Sequence, residues 1–140
     1  MAKSFIIREY RQDDQAAVIA LWYDSGLVRP PNDPASDIAL KMSHSPELFL
    51  VGTLDETVIA TVMIGYEGHR GWINYLAVAP TKRSASYGRQ MMEHAELLLR
   101  SLGCPKINLL VRTTNSQVIA FYETLGFKQD AVISLGKRLS

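Results

Sequence analysis

Three β-rich runs lie in the middle of the chain: Leu48 to Val51, Val58 to Ile64 and Trp72 to Val78. Only polar turns divide them, one around Asp55-Glu56 and one at Glu67-Gly68-His69-Arg70-Gly71. Connections this short join antiparallel neighbours, because a parallel return needs a crossover of a dozen or more residues. An antiparallel meander is therefore expected at the centre, and every other segment has to extend it or pack on it. Pro80 ends the third run, having no N–H to give to a sheet ladder.

The flanks supply strands and helices. Phe5-Ile6-Ile7 is a short apolar run, read as a strand. Asp13 or Asp14 then caps a helix with Ala17, Val18, Leu21 and Trp22 on its apolar face, closed by Ser25-Gly26. Arg29-Pro30-Pro31-Asn32 is a loop, and Asp33-Pro34 pairs an N-cap with proline at the first helical position of a short helix bearing Ile38 and Met42. Past the meander, Met91, Ala95, Leu98, Leu99 and Leu102 mark one face of a long helix that Gly103 and Pro105 stop. A strand is expected from Ile107 to Val111, then a helix bearing Val118, Phe121, Tyr122 and Leu125. Thr114 with Gln117 forms a capping-box pattern at its start, and Gly126 closes its end. The tail, Phe127 to Leu139, has room for one or two strands. The order is βααβββαβαβ(β), an α/β (α+β type) chain with a mixed, mostly antiparallel sheet and about four helices.

Composition narrows the class of function. With 140 residues, 47% of them hydrophobic and 21% charged, the chain suits one globular domain over residues 1–140. A net charge of +1 gives no basic excess with which to hold phosphate backbones, so nucleic acid is not an expected partner. The single cysteine, Cys104, excludes an intrachain disulfide, and His44, His69 and His94 lack metal-ligand spacing, so no metal is expected. No stretch approaches the ~20 apolar residues of a membrane span, and the start carries no signal-like pattern, so a cytoplasmic protein is expected.

The segment that carries chemistry is Leu76-Ala77-Val78-Ala79-Pro80-Thr81-Lys82-Arg83-Ser84-Ala85-Ser86-Tyr87-Gly88-Arg89. It reads as a strand, a loop of small residues and the start of a long helix. Such a junction exposes backbone N–H groups and the positive end of the helix dipole, which suits an anionic phosphate. Lys82, Arg83 and Arg89 add positive charge.

Here the chain resembles the GNAT superfamily of acetyltransferases. The family's pyrophosphate loop runs Arg or Gln, two residues, Gly, one residue, then Gly or Ala, after a strand ending hydrophobic-x-Val-x-Pro. The matching residues are Leu76 to Pro80 and Arg83 to Gly88. A second signature, Asn followed by Tyr-Glu-x-Leu-Gly-Phe, is met by Asn115 and Tyr122-Glu123-Thr124-Leu125-Gly126-Phe127. More narrowly, Arg29-Pro30, Asn32-Asp33-Pro34, Gly68-His69-Arg70-Gly71, Gly103-Cys104-Pro105-Lys106 and Leu135-Gly136-Lys137-Arg138-Leu139 look like a bacterial YpeA-type branch. The sequence departs from the pattern at Ser84 and Ser86, where relatives carry glycine. A Cβ there blocks backbone approach to a pyrophosphate or strains a left-handed turn, whereas the hydroxyls are themselves phosphate donors.

The resemblance implies acetyl-CoA as cosubstrate, bound by Leu76, Ala77, Val78, Arg83, Ser84, Ala85, Ser86, Tyr87, Gly88, Arg89 and Asn115. The N–H of Ala77 or Val78 would stabilise the oxyanion on the thioester, and Tyr122 would protonate the departing sulfur. Each role has a structural competitor: Tyr122 continues an apolar stripe, Asn115 suits a helix cap, and Arg83 suits a solvated surface. Glu67, His69 and Asp33 are candidate bases, and deprotonation through water needs none of them. The acceptor would be a small-molecule amine or a protein amino group, and Arg29, Arg70 and Lys137 would attract one bearing a carboxylate. The alternative is a catalytically weak domain that binds acyl-CoA. Open edges of an antiparallel sheet favour pairing between copies, so a homodimer is compatible with this reading.

Overall fold

The runs at the centre of the chain form β2 (Phe49–Leu54), β3 (Thr57–Tyr66) and β4 (Gly71–Val78), each antiparallel to the next. They belong to a computed structural model that describes residues 4–83 and 85–140, in two compact units, Met1–Leu110 and Val111–Ser140. The first unit adds β1 (Phe5–Glu9), α1 (Gln15–Asp24), α2 (Pro34–Met42), α3 (Tyr87–Ser101) and β5 (Ile107–Leu109). The second holds α4 (Ser116–Thr124). The sheet runs β1-β2-β3-β4-β5 in chain order. β5 alone is parallel to its neighbour, as its return through α3 requires.

All six residues of β2 are buried, because helices cover both faces of the sheet. Side chains alternate across a strand. Phe49, Val51, Met63 and Ala77 face Val18, Leu21 and Trp22 of α1 and Ile38 of α2, forming one core. On the other face, Met91 of α3 approaches Gly52 and Leu99 approaches Gly71.

Local chemistry explains the boundaries. Asp33 caps α2, its Oδ1 accepting from the N–H of Ala35 at 3.1 Å and of Ser36 at 3.4 Å, with Pro34 opening the helix. Gly26 and Gly103 take left-handed conformations after α1 and α3.

Several expectations are corrected. Asp14 precedes α1 but makes no side-chain cap to it. Its buried carboxylate instead accepts two hydrogen bonds from the Arg8 guanidinium, at 2.8 and 2.9 Å, and one from the N–H of Arg11. In α3, Met92 is buried while Leu102 is exposed, so the buried face is Met91, Met92, Ala95 and Leu99. β5 ends at Leu109 rather than Val111. The cap of α4 is not Thr114: Asn115 Oδ1 accepts from the N–H of Val118 at 3.3 Å. No strand forms in the tail, where Val132, Ile133, Leu135 and Leu139 are exposed.

Candidate functional site

β4 breaks its own ladder where the chemistry was expected. On its β3 side the register advances by one residue between Thr61 and Met63, so that Tyr75 and Leu76 together oppose Val62. Tyr75 sits in the left-handed region with φ 52°, an unusual conformation for a residue carrying a Cβ. On its other side β4 pairs with β5 only at Gly71, Trp72 and Ile73. Among the described residues, Asn74–Val78 have no strand partner on that edge.

The bulge decides which backbone groups face this open edge. The N–H of Ala79 donates to Ile59 of β3 at 2.7 Å. Ladder groups alternate, so Ala77 also faces β3 while the groups of Val78 face away. The carbonyl of Tyr75 accepts from the Thr61 hydroxyl on β3 at 2.8 Å. In a trans peptide the following N–H points the opposite way, so that of Leu76 is directed away from the Thr61 hydroxyl. Alternation thus turns Val78, rather than Ala77, to the open edge, and the Leu76 N–H lies on the side of its peptide opposite the Thr61 hydroxyl.

Beyond Val78, the chain turns through a short 3₁₀ segment, Pro80–Lys82, toward α3. Arg83 folds back, its Nε donating to the Val78 carbonyl at 3.1 Å. Ser84 lies outside the described residues, and Ala85 is exposed. Ser86, at the N-cap of α3, has φ 66° and makes no side-chain cap. Its hydroxyl accepts instead from Gln90 Nε2 at 3.2 Å. Where Asp33 and Asn115 cap their helices, the first-turn N–H groups of Tyr87, Gly88 and Arg89 receive no oxygen from the cap side chain. The Tyr87 ring packs on Phe5 of β1, centroids 4.5 Å apart, so its side chain anchors the helix start. Arg89 is exposed.

In the second unit, the signature from Tyr122 to Phe127 is a helix terminator. The N–H of Phe127 donates to the Tyr122 carbonyl at 3.1 Å and that of Gly126 to Glu123 at 3.0 Å, with Gly126 at φ 94°. This paired bonding requires a left-handed residue at the glycine. It brings the Phe127 ring edge-on to Tyr122 at 5.5 Å, while Phe121 lies at 5.2 Å. Tyr122 is buried, and burial pushes its hydroxyl up to about 12. A phenol is protonated at neutral pH in any case, and burial makes this one a weaker acid.

Two candidate bases already have structural roles. Asp33 caps α2. Glu67 is exposed, and both of its carboxylate oxygens accept from the N–H of Arg70, at 2.7 and 3.1 Å. Against a desolvation cost, backbone N–H groups of Arg70, Glu67 and His69 hold its carboxyl below the usual range. His69 is exposed in the same turn, and the Arg70 guanidinium bends back to the His69 carbonyl. Arg29 and Lys137 are also exposed. No group of three or more His, Cys, Asp or Glu side chains among the described residues could hold a metal ion. No helix among them is long and apolar enough to cross a membrane.

The acetyltransferase (GNAT) family pattern matches residues 7–127, from β1 through the end of the α4 signature. The chain belongs to this family. An acetyltransferase of Yersinia pestis (strain Pestoides F) is 45% identical over 133 residues, 95% of this chain and 94% of the relative. The fold matches the ribosomal-protein-S18-alanine N-acetyltransferase from Escherichia coli with a TM-score of 0.77 at 22% identity, over 91% of this chain and 80% of that one. It also matches an aminoglycoside N-acetyltransferase solved in complex with CoA, TM-score 0.77 at 13% identity, over 100% of this chain and 98% of that one.

Within this GNAT chain, sequence reasoning missed the Tyr75–Leu76 bulge and the groups that fix it. Tyr75 and Thr61 are ordinary strand formers. The signal is non-local: a polar residue in the apolar run Val58 to Ile64.

Proposed function

We propose that the chain transfers an acetyl group from acetyl-CoA to a primary amine by direct attack of the neutral amine on the thioester. The observation that carries this reading is the β4 bulge beside an edge that β5 has already left, where we assign the N–H groups of Leu76 and Val78 to the thioester. Preorganised donors of this kind stabilise the charge that develops on a thioester oxygen, each contributing about 3 kcal/mol. The same open edge offers backbone groups to the pantetheine arm. The first turn of α3, at Tyr87, Gly88 and Arg89, receives no cap from the Ser86 side chain and suits the pyrophosphate; the family pattern assigns Ser84, Ala85 and Ser86 to the same group. Arg83 and Arg89 add charge, and the Asn115 amide is assigned to the pantetheine arm.

As the new C–N bond forms and the C–S bond breaks, the thiolate takes a proton from Tyr122, a phenol that is protonated at neutral pH. The proton released by the amine leaves through water, and water returns one to the Tyr122 phenolate. That route is favoured because the Asp33 and Glu67 carboxylates are engaged by backbone N–H groups. The acceptor is a small-molecule amine or a protein amino group. The alternative, a domain that binds acyl-CoA with little turnover, is favoured by one observation: Ser86 holds φ 66° where the loop pattern has glycine.

Calorimetric titration with acetyl-CoA, followed by CoA-thiol release against a panel of amines, tests both readings. The proposal expects micromolar binding and turnover with at least one amine. Tyr122→Phe is expected to bind acetyl-CoA normally and lose on the order of 10²-fold in kcat. Binding without turnover on any amine, unaltered by Tyr122→Phe, would establish the binding domain instead. No binding would sink both.

A further inference from the structure

The strained peptide of the bulge is held by a buried relay. Thr61 lies in the middle of β3 with 0% exposure, in an otherwise apolar stretch between Ala60 and Val62. Trp22, also at 0% exposure on α1, places its Nε1 at 2.9 Å from the Thr61 hydroxyl oxygen. That hydroxyl is 2.8 Å from the Tyr75 carbonyl. An indole nitrogen can only donate, and a hydroxyl has one proton. The direction of the chain is therefore fixed: Trp22 donates to Thr61, and Thr61 donates to Tyr75.

The Tyr75 carbonyl and the Leu76 N–H are two ends of one planar peptide. Pinning the first aims the second. Packing alone does not call for a hydroxyl here, since valine has the same branched shape and no polar group to satisfy. A left-handed tyrosine persists only where its surroundings over-determine it, and such residues cluster at functional sites. Donation to the carbonyl also polarises the peptide and strengthens its N–H as a donor.

We infer that Thr61, backed by Trp22, is a positioning residue for the acyl group: its hydroxyl holds the Tyr75–Leu76 peptide in the orientation that presents the Leu76 N–H to the thioester carbonyl. This rests on the acetyl-CoA reading above. Thr61 touches no substrate and acts only through the bulge.

Acetyl-CoA labelled with carbon-13 at the carbonyl provides the test, because that carbon's resonance reports the hydrogen bonds its oxygen accepts. Wild-type protein is expected to shift the resonance downfield from its free position. Thr61→Val is expected to return it at least halfway to the free value while affinity for CoA stays within about threefold. Thr61→Ser, which keeps the hydroxyl, is expected to restore the wild-type position. If Thr61→Val fails to fold because the Trp22 N–H is orphaned, Trp22→Phe/Thr61→Val removes both polar groups and is read the same way. A wild-type resonance position in the valine variants overturns the inference, as does a parallel loss of CoA affinity, which marks a purely structural role. Wild-type protein that binds neither CoA nor acetyl-CoA overturns the acetyl-CoA reading itself, a result distinct from either.

Discussion

The indole of Trp22 lies flat on the phenol ring of Tyr75, with centroids 3.8 Å apart and planes 14° from parallel. The far end of that phenol donates a short hydrogen bond, 2.5 Å, to Asp37 Oδ2 on α2. Burial, and then the bond and charge of Asp37, raise the Tyr75 hydroxyl well above its usual range. One side chain therefore joins α1, α2 and the bulge of β4. Tyr75→Phe keeps the stack and deletes the bond. We expect a stability loss of about 1–2 kcal/mol in urea unfolding. Asp37→Ala should cost a similar amount, and the double variant should cost less than the sum, because each single change already removes the same contact.

Stability at acid pH should depend on Asp14. The bidentate bond from Arg8 holds its carboxyl below the usual range, against a desolvation cost and with help from the Arg11 N–H. The folded chain thus binds a proton there less readily than the unfolded chain does. The contribution is fully present above the unfolded carboxyl pKa, near ~3.9, and drains away as pH falls through the lower folded value. Asp14→Asn is expected to cost about 1–3 kcal/mol at neutral pH. Urea unfolding in progressively more acidic buffer should show that difference shrinking. A constant difference down to strongly acidic pH would mean that the carboxyl is not depressed.

These two clusters show where the sequence was legible. The meander could be read because short polar turns leave antiparallel pairing as the only local solution, and Asp33-Pro34 because a cap acts on the N–H groups two and three residues away. Arg8 and Asp14 are six positions apart, but nothing in a local pattern says that the carboxylate abandons its helix for a guanidinium on β1. The bulge is harder still. Trp72 to Val78 looks like any strand, and the break in it is fixed by Thr61, fourteen residues upstream of Tyr75. At the loop, glycine-to-serine departures were visible in the sequence, but the φ of Ser86 was not.

That angle, 66°, makes Ser86→Gly informative. Left-handed geometry disfavours a residue with a Cβ by roughly 1 kcal/mol, while glycine also gains freedom when unfolded. The two effects oppose, so the melting temperature should move little. Removing the side chain opens the approach to the first turn of α3, and calorimetry should record tighter acetyl-CoA binding. Weaker binding at unchanged melting temperature would instead make the Ser86 hydroxyl a phosphate donor.

A glycine on β2 supports the same helix start from a distance. A Cβ added at Gly52 would run into the far edge of the Phe5 ring and lie 3.1 Å from Met91 Sδ. Phe5 can lie across the strand only because that Cβ is missing, and from there it meets Tyr87 in the first turn of α3. Gly52→Ala should therefore push the ring aside rather than break the sheet, at an overpacking cost of about 1–3 kcal/mol. Because the displaced ring is the one that anchors Tyr87, acetyl-CoA affinity should fall together with stability. Phe5→Leu in the Gly52→Ala background relieves the clash and should recover stability without recovering affinity. Recovery of both would mean that the ring contact contributes nothing to presenting the anion-binding turn.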